Sequence, residues 1–374
     1  MRKGLFWLAG GLLAWTHAGY PLAAAAAGRL RPRRVQKDEA TPTVTAIVAA
    51  HDEEDVIARR VENLLALDYP PERLDVIVAS DDSSDRTEEI VEEISEREPR
   101  VRLLRCPRGG KVAAQDRAVR EAESEIVAFS DANALWAVGA LRQLVRSFAD
   151  PEVAYVCGQL RLEEPNGTSR EGAYWRYEVW LREQESALGS ITGGNGAIYA
   201  LRRSDYLEVD PRFGHDLSLP YTLTQRGRRA VYEPKAVASE QPTPDQEDEY
   251  RRKVRMFEHC WAIVLEGRFL AGGGPLYLAQ LVSHRILRYG SGVLHAVLLG
   301  TTVALAGRGR AYDTALAAQL AFLGLAAAGR LRVPLPGAAL AYYYFLVTSA
   351  TLVSLVRYLR SGVPAVWEKA PGTR

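Results

Sequence analysis

A chain of 374 residues with 47 basic and 46 acidic side chains carries a formal net charge of +1, so nothing global argues for nucleic acid as a partner. That length leaves room for two or so folding units. Cys106, Cys157 and Cys260 are too widely separated for a metal-ligand motif or a disulfide framework, which fits a reducing compartment and buried structural thiols.

The average composition hides a segregation along the chain. Residues 4–28, GLFWLAGGLLAWTHAGYPLAAAAAG, carry no formal charge and predict a helix that crosses a bilayer, with Pro21 expected to kink it near its end. Met-Arg-Lys, the apolar run and the alanines also imitate a secretory signal. Against that rival stand the length of the run and the RLRPRR that follows. Arg29, Arg31, Arg33 and Arg34 outnumber Arg2 and Lys3, which predicts that the next domain stays in the cytoplasm, at the inner membrane.

From residue 43 strands and helices alternate. TVTAIVAAH predicts a strand and EEDVIARRVENLLAL a helix, broken by Tyr69-Pro70-Pro71. RLDVIVAS is the next strand, DRTEEIVEEISERE a helix, VRLLRC a strand, KVAAQDRAVREAES a helix and EIVAFSD a strand. This alternation predicts an α/β domain with a mostly parallel sheet covered on both faces. Further on, YWRYEVWLREQES predicts a helix whose aromatic stripe either stacks on sugar rings or packs against the domain or membrane surface. LYLAQLVSHRILRY reads as an amphipathic helix lying in the membrane interface, with His284, Arg285 and Arg288 on its polar side. Three apolar blocks follow, of which the first (from Tyr289) and the third (from Gly337) are long enough to span; the middle one, 314–329, is short. The predicted organisation is an N-terminal anchor over 1–28, a basic cytoplasmic linker over 29–42 and the α/β domain over 43–270. An interfacial helix over 271–288, membrane helices over 289–358 and a tail over 359–374 complete it. Four spans would place the basic tail outside, against the charge rule, so the sequence leaves open whether 314–329 crosses.

Open parallel sheets bind ligands outside the carboxyl ends of their strands. The unusual residues here fall at those ends: His51-Asp52-Glu53, then Asp81, then Asp131 and Asn133. Four of these six are acids, which suits either a hard cation such as Mg²⁺ or Mn²⁺ or a polar ligand with donors to satisfy. Helix capping is the competing account; it explains Asp85, ahead of RTEE, but not Asp81 or Asp131. RGGKVAAQ adds a glycine pair and Lys111 near a helix start, where an anion sits comfortably, without the full spacing of a phosphate-binding P-loop.

Taken together, VTAIVAAHDEE, VIVASDDSSDRT, GGKVAAQDRAV and IVAFSDAN, in this order and spacing, resemble the nucleotide-sugar-binding half of family 2 glycosyltransferases of the GT-A fold. The likeness continues through TGGNGAIYALRRSDY, HDLSLPYTLTQRGRR and RRKVRMFEHC, covering about 43–267, and extends to the flanking membrane helices found in some members. The resemblance implies a GT-A (Rossmann-like) domain in which Ala49, His51 and Glu53 border the nucleotide and Asp81 accepts a hydrogen bond from the base. Lys111 would lie beside the donor, and Asp131 with Asn133 would match the D-x-D motif that holds a divalent metal, Mg²⁺ or Mn²⁺. Asp216 would be the catalytic base, and Arg252 and Arg255 would stand where members carry Q-x-x-R-W at the acceptor and diphosphate. Asn133 departs from the second Asp of that motif, His215 from an acid, and Met256 from Trp. The implied activity is inverting, metal-dependent transfer from a nucleotide-diphosphate sugar, a UDP-sugar first, to a lipid-linked or growing surface-glycan acceptor. The expected partners are that donor, that acceptor and membrane lipids. Two other classes are weighed against it. A non-catalytic scaffold of a polysaccharide synthesis or export complex is favoured by the three departures and opposed by Asp131, Asp216 and Arg255. A transporter is opposed by the lack of internal symmetry or an acid-lined path.

Overall fold

A computed structural model describes residues 1–162, 173–241 and 246–364 of the chain. The last ten residues of the expected tail, 365–374, lie outside the described residues. The strands are β1 (Val44–Ala50), β2 (Leu74–Asp81), β3 (Val101–Cys106), β4 (Ile126–Asp131), β5 (Leu135–Trp136), β6 (Val153–Leu162), β7 (Tyr199–Arg202) and β8 (Arg229–Glu240). They form one sheet in the order β3-β2-β1-β4-β7-β6-β8-β5. The β1–β2, β1–β4, β2–β3 and β6–β8 pairs are parallel, while β7 and β5 join antiparallel. The α/β, mostly parallel reading therefore holds, with a mixed second half.

Alternation along β1 divides its side chains between two cores. Val44, Ala46, Val48 and Ala50 pack with Ile57, Val61 and Leu64 of one covering helix, whereas Ile47 packs with Ala114 and Ala118 of another. Burying such a residue stabilises the fold by about 1.5–3 kcal/mol, which is why these strands read as continuous apolar runs. The helices expected after the first three strands appear as Ile57–Leu65, Thr87–Ser95 and Lys111–Glu121. The first begins later than Glu53 because a turn intervenes: the amides of Val56 and Ile57 both donate to the Glu53 carbonyl, at 3.0 and 2.9 Å. Cys106, Cys157 and Cys260 are free thiols, the first two buried.

The N-terminal segment is helical from Arg2–Ala14, through a π-helical stretch Trp15–Gly19, into Tyr20–Leu30. The π turn ends just before Pro21, whose missing N–H breaks the α-helical ladder at that point. At the other end, the expectation for the third apolar block holds, while the first and middle blocks exchange roles. Arg310–Arg330 and Ala338–Ser361 are long and apolar enough to cross a membrane, whereas Ser291–Leu305 qualifies only when joined to Gly274–Tyr289 across a 62° bend. The middle helix gains its length from Arg310 to Asp313, ahead of the apolar run; the first stops at Leu305, before Gly307 at φ 74°. Phe6 packs with Leu305 and Tyr312, and Tyr20 and Ala24 pack with Leu181, so the N-terminal helix touches both the membrane helices and the α/β domain. Within the aromatic stripe, Tyr177 and Trp180 pack against that same contact.

The expected interfacial helix also differs from its reading. Its polar side turns inward, not toward headgroups: His284 is 2% exposed and its Nδ1 lies 2.7 Å from Glu185 Oε1. Arg285 Nε donates to Thr192 Oγ1 at 2.9 Å, and Arg288 pairs with Glu178. The reason is that Glu178 and Glu185, on the Ala173–Leu188 helix, are themselves withdrawn from water and need cationic partners.

Candidate active site

Parallel register brings the carboxyl ends of four strands level: Ala49 pairs with Ala79 on one side and with Asp131 on the other, and Asp81 pairs with Cys106. After β1 and β2 the chain turns through Asp52 at φ 53° and Asp82 at φ 58°, left-handed conformations uncommon for residues other than glycine. Asp52 Oδ1 accepts from the Ser84 amide at 2.7 Å, which ties the two turns together. Such strain persists where surrounding bonds hold it, and here it faces the strand ends. Asp85 stands one residue before the N-cap, Arg86, and holds the helix start from there: its Oδ1 accepts from the Thr87 amide at 2.9 Å and its Oδ2 from the Glu54 amide at 3.0 Å.

Asp81 is 3% exposed and its oxygens hold the glycine pair. The amides of Gly109 and Gly110 donate to Oδ1 at 2.7 and 3.1 Å, and Arg108 Nη1 donates to Oδ2 at 2.8 Å. His51 Nδ1 lies 2.9 Å from the Asp81 carbonyl. Glu53 is buried and its amide donates to Thr87 Oγ1 at 2.7 Å, a link between the β1 exit and the next helix.

The residue after this glycine pair is Lys111, first in its helix, and its ammonium pairs with Asp131. Burial pulls the lysine pKa down, but Asp131, with Asp216 and Glu240 beyond it, outweighs that and leaves it raised. Over the pair lies the TGGNG loop. Asn195 pins it by accepting from the amides of Ala197 and Ile198 at 3.1 and 3.0 Å. A Cβ on Gly196 would stand 3.0 Å from Lys111 Nζ and 3.2 Å from Asp131 Oδ2, so the loop backbone lies close against the pair and a side chain there would press on it.

Asp216 sits in the first turn of the His215–Gln225 helix, half-buried, with its carbonyl accepting from the Gly194 amide at 2.6 Å. Burial raises its carboxyl pKa; Lys111 opposes that and Asp131 adds to it. His215 turns away from the pocket. It is 3% exposed, its Nδ1 lies 3.0 Å from Tyr199 Oη, and burial followed by the Lys111 charge lowers its pKa to about 3, so it is neutral. Arg252 bonds Glu249 through Nε at 3.0 Å and acts electrostatically on Glu240. Arg255, half-buried, acts on Glu258 and His259. Met256 is 37% exposed and faces outward.

The structure thus brings Ala49, His51, Asp81, Lys111, Asp131 and Asp216 to one region, with Arg252 at its edge and Glu53 beneath it. Asn133 follows Asp131 in a turn closed by the Ala134 amide donating to the Asp131 carbonyl at 3.3 Å. Two participants had no sequence signal: Arg108, whose role appears only when its loop closes on Asp81, and Glu240, at the end of a strand that reaches the site from the far side of the sheet. Burial raises the Glu240 pKa, and Asp131 adds to the effect against Arg252 and Lys111. Behind Asp131, the fully buried Arg60 lies over the Trp136 ring at 5.0 Å. Among the described residues no cluster of three or more His, Cys, Asp or Glu side chains could hold a metal. A cation that also takes phosphate oxygens and water needs only one or two carboxylates, so Asp131 and its neighbours fit that lesser demand.

Residues 45–209 match the sequence profile of the family described as Glycosyl transferase family 2. The chain is 34% identical over 178 residues to a beta-monoglucosyldiacylglycerol synthase of Trichormus variabilis, covering 44% of this chain and 38% of that one. It is 24% identical over 202 residues to a poly-beta-1,6-N-acetyl-D-glucosamine synthase of Staphylococcus aureus, covering 52% and 48%. The chain therefore spans less than half the length of these curated relatives. Its fold resembles the mannosyltransferase PcManGT of Pyrobaculum calidifontis, solved in complex with GDP-Man and Mn²⁺, at a TM-score of 0.73 and 25% identity over 95% of this chain and 99% of that one.

Proposed function

From the match of residues 45–209 to Glycosyl transferase family 2, we infer that this is a family 2 glycosyltransferase domain and that the protein transfers a sugar, with inversion, from a nucleotide-diphosphate donor to an acceptor hydroxyl at a membrane surface. The observation that carries the reading is the convergence of Lys111, Asp131 and Asp216 beneath the Gly194–Gly196 loop. The acceptor oxygen attacks the anomeric carbon while Asp216 takes its proton; the bond to the diphosphate breaks and its electron pair leaves with the phosphate oxygen. Burial makes Asp216 a stronger base than an ordinary carboxylate, because its ionised form is less stabilised by water. Lys111 faces the departing phosphates, and Arg252 adds positive charge at the edge. Asp131 and Asn133 are the residues that would hold a divalent cation. When bound, such a cation neutralises charge on the leaving diphosphate.

The acceptor is a lipid or a lipid-linked or growing glycan. The site sits beside helices long and apolar enough to span, and the relatives named above include a glucosyldiacylglycerol synthase and a polysaccharide synthase. The domain is assigned to the cytoplasmic side of the inner membrane on the arginines of 29–34, and Asp81 and Ala49 border a uridine nucleotide. Membranes containing the protein, incubated with labelled UDP- and GDP-sugars with and without Mn²⁺ or chelator, test the reading. Transfer of label into lipid or glycan that needs the cation and disappears in Asp216→Asn is the expected result. Transfer no greater than in membranes lacking the protein would leave the scaffold reading standing, and a variant that transfers as fast as an active parent would remove Asp216 as the base.

A further inference from the structure

The Asn133 position leaves the expected cation site one acid short, and the sheet supplies another from a distant part of the chain. β5 and β8 pair antiparallel, Leu135 opposite Ser239 and Trp136 opposite Ala238, with the Ala137 amide donating to the Val237 carbonyl at 2.9 Å. One step further along this register, Glu240 emerges beside Ala134, next to Asn133 and at the turn that begins with Asp131. Glu240 Oε1 is buried and accepts no hydrogen bond from any group among the described residues. Asp131, Arg252 and Lys111 are the charged groups that act on this carboxyl. A buried, unpartnered carboxylate oxygen is costly, and a native chain retains one where a ligand completes it.

We propose that Glu240 is the second carboxylate of the divalent-cation site whose first is Asp131, standing in for the acid that Asn133 lacks. The proposal rests on the glycosyl-transfer reading above. Two carboxylates with phosphate oxygens and water make an ordinary donor set for Mg²⁺ or Mn²⁺. The Asn133 amide oxygen remains available as a neutral ligand from the same turn.

The test reads metal directly. Binding of Mn²⁺ to the detergent-solubilised full chain is followed by electron paramagnetic resonance, alone and with UDP or GDP, in the parent, Glu240→Gln, Asp131→Asn and the double variant Glu240→Gln/Asn133→Asp. The expected result is at least about a tenfold loss of Mn²⁺ affinity in Glu240→Gln, recovery in the double variant, and no measurable site in Asp131→Asn. Recovery in the double variant also shows that Glu240→Gln folds. An unchanged affinity in Glu240→Gln, with binding lost in Asp131→Asn, overturns the role of Glu240 and leaves the transferase reading intact. Loss in Glu240→Gln without recovery in the double variant also overturns the substitution of one acid for the other. A parent protein that binds no Mn²⁺ with either nucleotide overturns both the proposal and the cation site it extends.

Discussion

The half of the site built on β1 to β4 and the half built on residues 192–285 are assembled by opposite rules. In the first, each functional side chain stands at the carboxyl end of a strand, in chain order, and is held by its local turn. Asp81 with Gly109 and Gly110 is the clearest case. In the second, a loop, a helix start and a membrane-side helix are fastened to one another by buried ions. Thr192 accepts from Arg285 and donates to Glu185, and Glu185 also takes a hydrogen bond from Tyr20 at 2.6 Å. The first arrangement presents backbone amides and short side chains at the strand ends; the second fastens the loop beside Asp216 to the helix that carries His284 and Arg285. Burial works against ionising Glu185, yet His284, first among its partners, and Arg285 hold its pKa down to about 2.

Four changes break or sharpen this contrast. Asp216→Asn, on the second half, will lower kcat by about 10²- to 10⁴-fold while leaving nucleotide affinity nearly unchanged, measured by transfer rate and by calorimetric titration with UDP and GDP. A matched loss of nucleotide affinity would erase the division of labour. Glu185→Ala leaves His284 and the Thr192 donors facing a void, and removing one partner of a buried pair costs about 3–5 kcal/mol. It will appear as a clear drop in thermal unfolding temperature in detergent, and an unchanged transition would mean the ion cluster fastens nothing. Asp81→Ala, on the first half, strips the Gly109 and Gly110 amides of their acceptor and will lower stability by about 1–3 kcal/mol in thermal unfolding, with a weakening of nucleotide affinity read by the same titration.

The smallest effect concerns Asp116, behind the His215 turn. Its oxygen accepts from Tyr206 Oη at 2.5 Å, and burial raises its pKa from 3.8 to about 6. The folded state thus holds this proton more tightly than the unfolded chain does. Its contribution to stability is fullest below about pH 4 and is lost as pH rises through about 6. Asp116→Asn removes that dependence, so its stability relative to the parent will rise between pH 4.5 and pH 7.5, by on the order of 1 kcal/mol once solvent screening is counted. A difference that is flat or falls with pH would place this carboxylate in solvent.

The same contrast explains what could be read from the chain. Asp81, Lys111 and Asp131 were legible because β1 to β4 are short apolar runs that end abruptly in polar residues, so period and position coincide. Asp85 was separated from them because a residue that holds a helix start has its own spacing. Glu240 was not legible: β8 pairs with β6 and β5, so its neighbour in space is about a hundred residues away in sequence. The helix over 274–289 misled for a different reason. Periodicity reveals that His284, Arg285 and Arg288 share a side, but not whether that side meets headgroups or buried carboxylates.

Because one carboxylate, Glu185, answers to the N-terminal helix, the Thr192 loop and the helix carrying His284, those three segments are joined at a single point. On the glycosyl-transfer reading, this tether would fix the reach between the Asp216 pocket and an acceptor held in the bilayer, so regiochemistry would depend on it as much as on the shape of the pocket itself.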